Sequence, residues 1–218
     1  MSAGIHPLAS VIAAVARSIS GVQVRWAGCQ PEEKQRIYFA NHTSHLDFVV
    51  LWSALPGEVR ARTRPVAAKD YWEKGVRAYL AQKVFRAILI HRTGAAEAGN
   101  KEGARTAART VIDELAEAMG DTESLILFPE GTRGTGETIA TFRSGLYYLA
   151  KRKPEVELVP AYLENLNRIL PKGEVLPVPL ISMLTFGVPL RIGESEGKSD
   201  FLERARAAVN ALRRKGES

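Results

Sequence analysis

The sequence predicts an α/β layered fold with a mostly parallel central sheet flanked by helices. Three observations carry that prediction. Short apolar runs alternate along the chain with segments of helical period, the pattern of strand–helix–strand units. Alternation of that kind favours parallel strands joined by crossover helices. The composition, 45% hydrophobic and 25% charged over 218 residues, suits one full hydrophobic core. The expected organisation is a single domain over 1–218, with an N-terminal helix within 1–22 and a C-terminal basic helix over 199–218.

In order, Leu8 to Val22 reads as a helix, either core or membrane-surface, and Val22 to Trp26 as an alternating strand. Cys29 to Lys34 is a polar turn. Arg36-Ile37-Tyr38-Phe39-Ala40 is a strand, and a helix over about His45 to Ala54 is stopped by Pro56-Gly57. Arg64 to Lys69 reads as a strand ending in lysine. Asp70 is then the expected N-cap of a helix reaching about Val84. Ala87 to His91 is a strand ending at Arg92. Asn100 to Met119 is an amphipathic helix through Ala104, Ala107, Val111, Leu115 and Ala118, stopped by Gly120. Ser124 to Phe128 is a buried strand, Ser144 to Lys151 a helix closed by Pro154, and Val156 to Leu163 a strand. Leu170–Pro179 is a Pro-rich loop, Leu180 to Val188 a strand, and Asp200 to Arg214 the last helix.

A net charge of +6 points to an anionic partner: a phosphorylated substrate, a phospholipid surface or nucleic acid. Arg60-Ala61-Arg62-Thr63-Arg64 and Arg213-Arg214-Lys215 are the densest basic stretches, read as solvated faces. The single cysteine excludes an internal disulfide. No apolar run reaches the ~18 residues of a membrane span, and the N-terminus lacks the marks of a secretory signal.

The chemistry is expected around Asn41-His42-Thr43-Ser44-His45-Leu46-Asp47. Five residues on an ideal helix turn through roughly 500°, so His42 and Asp47 cannot share a helix face. They can meet only if His42 lies in the loop and Asp47 in the first turn. His42 would then accept a proton while Asp47 orients its ring. Two other readings compete. Ser44-x-x-Asp47 is a capping-box pattern, and the heptad taken alone favours that cap. His42-x-x-His45-x-Asp47 also has metal-ligand atoms, but Thr43 and Phe48 stand where a metallo-hydrolase cluster would be completed, so His6 and His91 would have to be recruited.

Phe128-Pro129-Glu130-Gly131-Thr132-Arg133 puts a carboxylate, a turn glycine and an arginine at a strand end, where α/β sheets place ligands. Arg133 offers a fork suited to phosphate, and the alternative is a surface Glu–Arg pair. Phe142-Arg143-Ser144-Gly145 adds an arginine at a helix start. Lys69 and Arg92 end other predicted strands, so parallel pairing would bring them to the same edge as His42 and Arg133.

His42-x4-Asp47 together with Phe128–Arg133 resembles the glycerolipid acyltransferases, above all the 1-acyl-glycerol-3-phosphate (lysophosphatidate) group. Ala68-Lys69-Asp70-Tyr71, Ile88 to Arg92, Phe142 to Gly145 and Val159-Pro160-Ala161 resemble further family blocks. The likeness runs from about Val24 to Val188. Two positions depart from it. His91 stands where Asp or Asn is common, and Phe85-Arg86-Ala87 stands where a glycine is frequent.

The resemblance implies acyl transfer from a coenzyme A or acyl-carrier-protein thioester to a lysophospholipid hydroxyl. His42 would be the base and Asp47 its partner. Lys69, Arg92 and Arg133 would hold the acceptor phosphate, in a pocket shaped by Glu130, Gly131 and Thr132. It implies no metal, no cofactor beyond the thioester co-substrate and no nucleic acid. Acyl carrier protein is an expected partner if it carries the donor. The expected location is peripheral, on the cytoplasmic side of a membrane, through Leu8–Val22 and the basic surface. Acceptors such as glycerol-3-phosphate or an aminolipid are the alternatives, with metal-dependent hydrolysis more remote.

Overall fold

The computed structural model describes residues 7–44, 46–91, 101–166 and 182–213, without the side chains of Lys101 and Ala104. Arg92, His6, His45, Asn100, the loop 170–179 and the basic tail 214–215 lie outside the described residues.

Helix α1 (Pro7–Ser20) leads to β1 (Gln23–Trp26), β2 (Arg36–Ala40), α2 (Asp47–Ala54), α3 (Gly57–Ala61) and β3 (Thr63–Ala68). Then come α4 (Lys69–Trp72), α5 (Gly75–Tyr79), a π-helical turn (Leu80–Val84) and β4 (Ile88–Ile90). The remainder is α6 (Lys101–Met119), β5 (Ser124–Leu127), α7 (Gly145–Arg152), β6 (Glu157–Glu164), β7 (Met183–Phe186) and α8 (Lys198–Ala211).

The described strands form one sheet in the order β1-β7-β6-β2-β5-β3-β4. Strand β2 pairs in parallel with β5 and β6, and β3 with β5 and β4. The β6–β7 pair is antiparallel while β1–β7 is parallel, so β1 and β7 run against the other five. The sheet is thus mostly parallel, and β2, β5, β3 and β4 share one C-terminal edge.

Every residue of β2 is buried, because both faces of the sheet are covered. Tyr38 and Ala40 face a core built with α1, α2 and the π-turn: Ala13, Leu51, Trp52 and Val84 lie there. Ile37 and Phe39 face the opposite core with Leu115 and Met119 of α6, Leu149 of α7 and Phe201 of α8. Three layers result, with the sheet in the middle.

The single helix expected from Asp70 to Val84 is broken. Gly75 has φ +57°, and the chain restarts there as α5. Asp70 lies inside α4 and is not its cap. Phe85 N–H then donates to Leu80 O at 2.9 Å, the i to i+5 bond of a π-turn. Arg86, within the stretch where the likeness expects glycine, takes φ +51°. Its side chain anchors that strained backbone by donating to Ala61 O and Glu123 Oε1, each at 2.8 Å.

The arginine run from Arg60 to Arg64 is only partly a solvated face. Arg60 is buried over the Trp52 ring and donates to Leu55 O. Arg64 donates to the carbonyls of Arg86 and Ala118. Pro160 sits in an inner strand despite lacking an N–H. Its neighbour bulges there. The β7 ladder ends at Ala161↔Phe186 and pairing resumes at Leu158↔Leu190, so three steps on β6 face four on the other side. Pro160 needs only its carbonyl, which accepts from Gly187 N–H at 2.8 Å.

Candidate active site

The loop between β2 and α2 is wrapped around one carboxylate. Asp47 is fully buried in the first turn of α2. Its Oδ2 accepts from His42 Nδ1 at 2.8 Å, Thr43 N–H at 2.6 Å and Ser44 N–H at 2.9 Å. The cap and the histidine partner are therefore one oxygen atom. One half of the capping box is the Asp47 carboxylate reaching back to Ser44 N–H, while the Ser44 hydroxyl accepts from Leu46 N–H at 3.3 Å.

Asn41 fixes where this loop begins. Its amide donates to Leu163 O at 2.9 Å and its carbonyl accepts from Leu163 N–H at 2.8 Å. The side chain thus imitates one more residue of β2 against the end of β6. The sequence signal is an amide directly after the apolar run Ile37–Ala40, and on its own it gives no role to Asn41.

The His42 ring stacks on Phe128, centroids 4.4 Å apart and planes 25° from parallel. With Nδ1 bound to Asp47, Nε2 carries the lone pair of the neutral ring. Nε2 has no hydrogen-bond partner among the described residues, and the side chain is 20% exposed.

Glu130 ties this loop to the turn after β5. It is buried at 4% exposure. Oε1 accepts from His42 N–H at 2.7 Å and Oε2 from Ala140 N–H at 2.8 Å. Gly134 N–H donates to His42 O at 2.8 Å, so His42 is held through both backbone polar groups. A surface Glu–Arg pair, the alternative for this segment, is overturned: Glu130 is inside and binds backbone. Gly131 has φ +73°, and the Arg143 side chain lies where a Cβ would stand. Arg143 in turn donates to Pro129 O through its backbone and to Glu130 O through Nε.

Thr132 is exposed and Arg133 half-buried, both just beyond β5. Among the described residues Arg133 makes no hydrogen bond or ion pair. Lys69 stands at the end of β3, its Nζ 3.1 Å from His91 Nε2 beyond β4. His42, Asp47, Glu130 and Gly131 thus form one bonded unit. Thr132, Arg133 and Lys69 share its sheet edge without bonding to it. Among the described residues no group of three His, Cys, Asp or Glu could hold a metal ion, and His45 lies outside them.

The molecule is a three-layer α/β protein displaying a His–Asp pair at the C-terminal edge of its sheet. A family model described as Acyltransferase matches residues 22–164, and the chain belongs to that family. A 1-acyl-sn-glycerol-3-phosphate acyltransferase of Limnanthes douglasii is 30% identical over 165 residues, covering 74% of this chain and 53% of that protein. The 1-acyl-sn-glycerol-3-phosphate acyltransferase alpha of Homo sapiens is 28% identical over 157 residues, covering 70% and 49%. The chain spans about half the length of these relatives. The crystal structure of the 1-acyl-sn-glycerophosphate (LPA) acyltransferase PlsC from Thermotoga maritima shares the fold, with TM-score 0.66 and 18% identity over 94% of this chain and 76% of that one.

Proposed function

We propose that the chain transfers a fatty acyl group from a coenzyme A or acyl-carrier-protein thioester to the free hydroxyl of a lysophospholipid. The foremost acceptor is 1-acyl-glycerol-3-phosphate, giving phosphatidate. The carrying observation is the 2.8 Å contact between His42 Nδ1 and buried Asp47, which leaves Nε2 to face a substrate. His42 Nε2 removes the hydroxyl proton as the oxygen attacks the thioester carbonyl. The tetrahedral intermediate collapses, the C–S bond breaks, and the leaving thiolate takes the proton from the imidazolium. Asp47 supports the imidazolium charge. Arg133, with Lys69 and Arg92, holds the acceptor phosphate, while Glu130 keeps His42 in register and the Gly131 turn aims Arg133.

No covalent acyl-protein is part of this mechanism. Cys29 is buried beside Arg36, at the opposite end of β2 from His42, and burial pushes its thiol pKa up. Attachment to the membrane is peripheral. Among the described residues no helix is long and apolar enough to cross a bilayer. Val11, Val15 and Ile19 form an exposed apolar stripe on α1 that supports surface attachment.

Thiol release from a long-chain acyl-coenzyme A, with and without lysophosphatidate, tests the reaction. Release should depend on the acceptor, and His42→Ala should remove it while the circular dichroism spectrum stays native. Near-normal turnover in that variant refutes the base, and an acceptor panel including glycerol-3-phosphate tests the substrate.

A further inference from the structure

The segment joining β3 to β4 leaves a second face uncovered, at the site's own edge. Its inner side is pinned to α2 by aromatic packing. Trp72 and Phe85 meet Phe48 edge-on at 5.2 and 5.1 Å. Its outer side is different. Val76 is 75% exposed and Tyr79 50%. They lie three residues apart, on one helix face, with exposed Lys83 four residues further on. Large apolar groups left in water in this way mark contact surfaces.

Past the exposed Asp70 and Glu73 of the α4 end, the charge on this segment has one sign. From Lys74 to Arg86 the sequence contains Lys74, Arg77, Lys83 and Arg86 and no carboxylate. Arg86 is committed to Glu123. Lys74, Arg77 and Lys83 are exposed and meet no carboxylate among the described residues; Arg77 lies over the Tyr71 ring, 4.6 Å from its centroid. Valine and tyrosine interleaved with cations that meet no carboxylate match the headgroup layer of an anionic bilayer, which accepts apolar groups, tyrosine rings and ammonium or guanidinium groups together. A second copy of the chain would bring this cation-rich face against itself.

We infer that Lys74–Lys83 is a bilayer-docking surface for anionic phospholipid, separate from α1 and continuous with the site through Lys69, the first residue of α4. The proposal rests on the lipid-substrate reading given above. It adds that the strand-end edge carrying Lys69 and His42 is held close to the headgroups, where a lipid acceptor would enter sideways from the membrane.

The test uses the full chain and sedimentation with phosphatidylglycerol/phosphatidylcholine vesicles, against phosphatidylcholine alone. Two double variants are compared, Val76→Glu with Tyr79→Glu, and Lys74→Glu with Arg77→Glu. Each should weaken binding to the anionic vesicles by roughly tenfold or more. Turnover of a short-chain, water-soluble donor and acceptor should stay within about twofold, which shows that the site is intact. Anionic-vesicle binding unchanged in both variants overturns the proposal, as does loss only on replacing Val11, Val15 and Ile19. A mass by light scattering that falls from dimer to monomer in the variants also overturns it, in favour of a second copy. Failure of the acyl-transfer reading looks different: no acceptor-dependent thiol release, with vesicle binding untouched.

Discussion

Asp47 gathers three donors on one oxygen, two from backbone and one from His42, and each constrains what may replace it. Asn keeps the shape, but its single carbonyl oxygen cannot restore the negative charge opposite a developing imidazolium. Asp47→Asn is expected to lower kcat by about 10²–10⁴-fold while acceptor KM changes little, measured by steady-state thiol release. Glu130 sets a related test. Both its oxygens accept backbone N–H groups, so Glu130→Gln must turn an amide N–H₂ toward one donor. A loss of about 1–3 kcal/mol in unfolding free energy is expected, with kcat reduced because His42 loses its brace. Denaturant titration and kinetics on the same preparation read both. Cys29 provides a negative control. Its buried, raised-pKa thiol should resist a thiol reagent in the native protein and react fully in denaturant.

At the scale of elements, backbone and side chain meet tightly in the turn after β5. Gly131→Ala must hold φ +73° with a Cβ and displace Arg143 from the turn. The expected cost is about 1 kcal/mol or more in stability, with a larger fall in activity as Glu130 shifts; thermal melts and turnover check it. The strands were legible in the sequence because buried parallel strands are short apolar runs, as Ile37–Ala40 and Leu125–Leu127 are. The His42–Asp47 pairing was legible as an allowed geometry, and the family likeness supplied the weighting. Other features were not legible. Gly75 reads as an ordinary helix interruption until its φ is known. Whether Glu130 meets Arg133 or His42 depends on β5 lying beside β2, which is a non-local fact. Asn41 as a substitute strand residue needs Leu163 in place before it has meaning.

At the scale of the molecule, helix α1 is both structural and exposed. Ala9 and Ala13 are buried, and the Ser182 hydroxyl donates to Ser20 O at 2.8 Å, so removing the first twenty residues would open a core as well as strip a surface. Replacing Val11, Val15 and Ile19 by Glu is the cleaner test of attachment. Acid stability has an identifiable contributor near α8. Arg204 grips Glu196 through two 2.7 Å bonds and holds that carboxyl below the usual carboxylate range. The folded value lies below the unfolded value of about 4.3. The stabilisation is therefore present above that pH and disappears as pH falls through the folded value. Glu196→Gln should flatten the decline of Tm with acidification in that interval, read by thermal melts across a pH series.

The sheet order has a consequence for the chain while it is being made. Both neighbours of β2 in the sheet, β5 and β6, come much later in the sequence. A nascent chain released as far as α6 holds β2 with its five buried positions, four of them apolar, and no partner for its edges, and among the described strands only β3 with β4 can pair nearby in sequence. His42 then has no Glu130 to hold it. The site should therefore appear late and in one step, when β5 slides between β2 and β3. Until that moment β2 is the stretch most open to mispairing and most in need of protection on the ribosome.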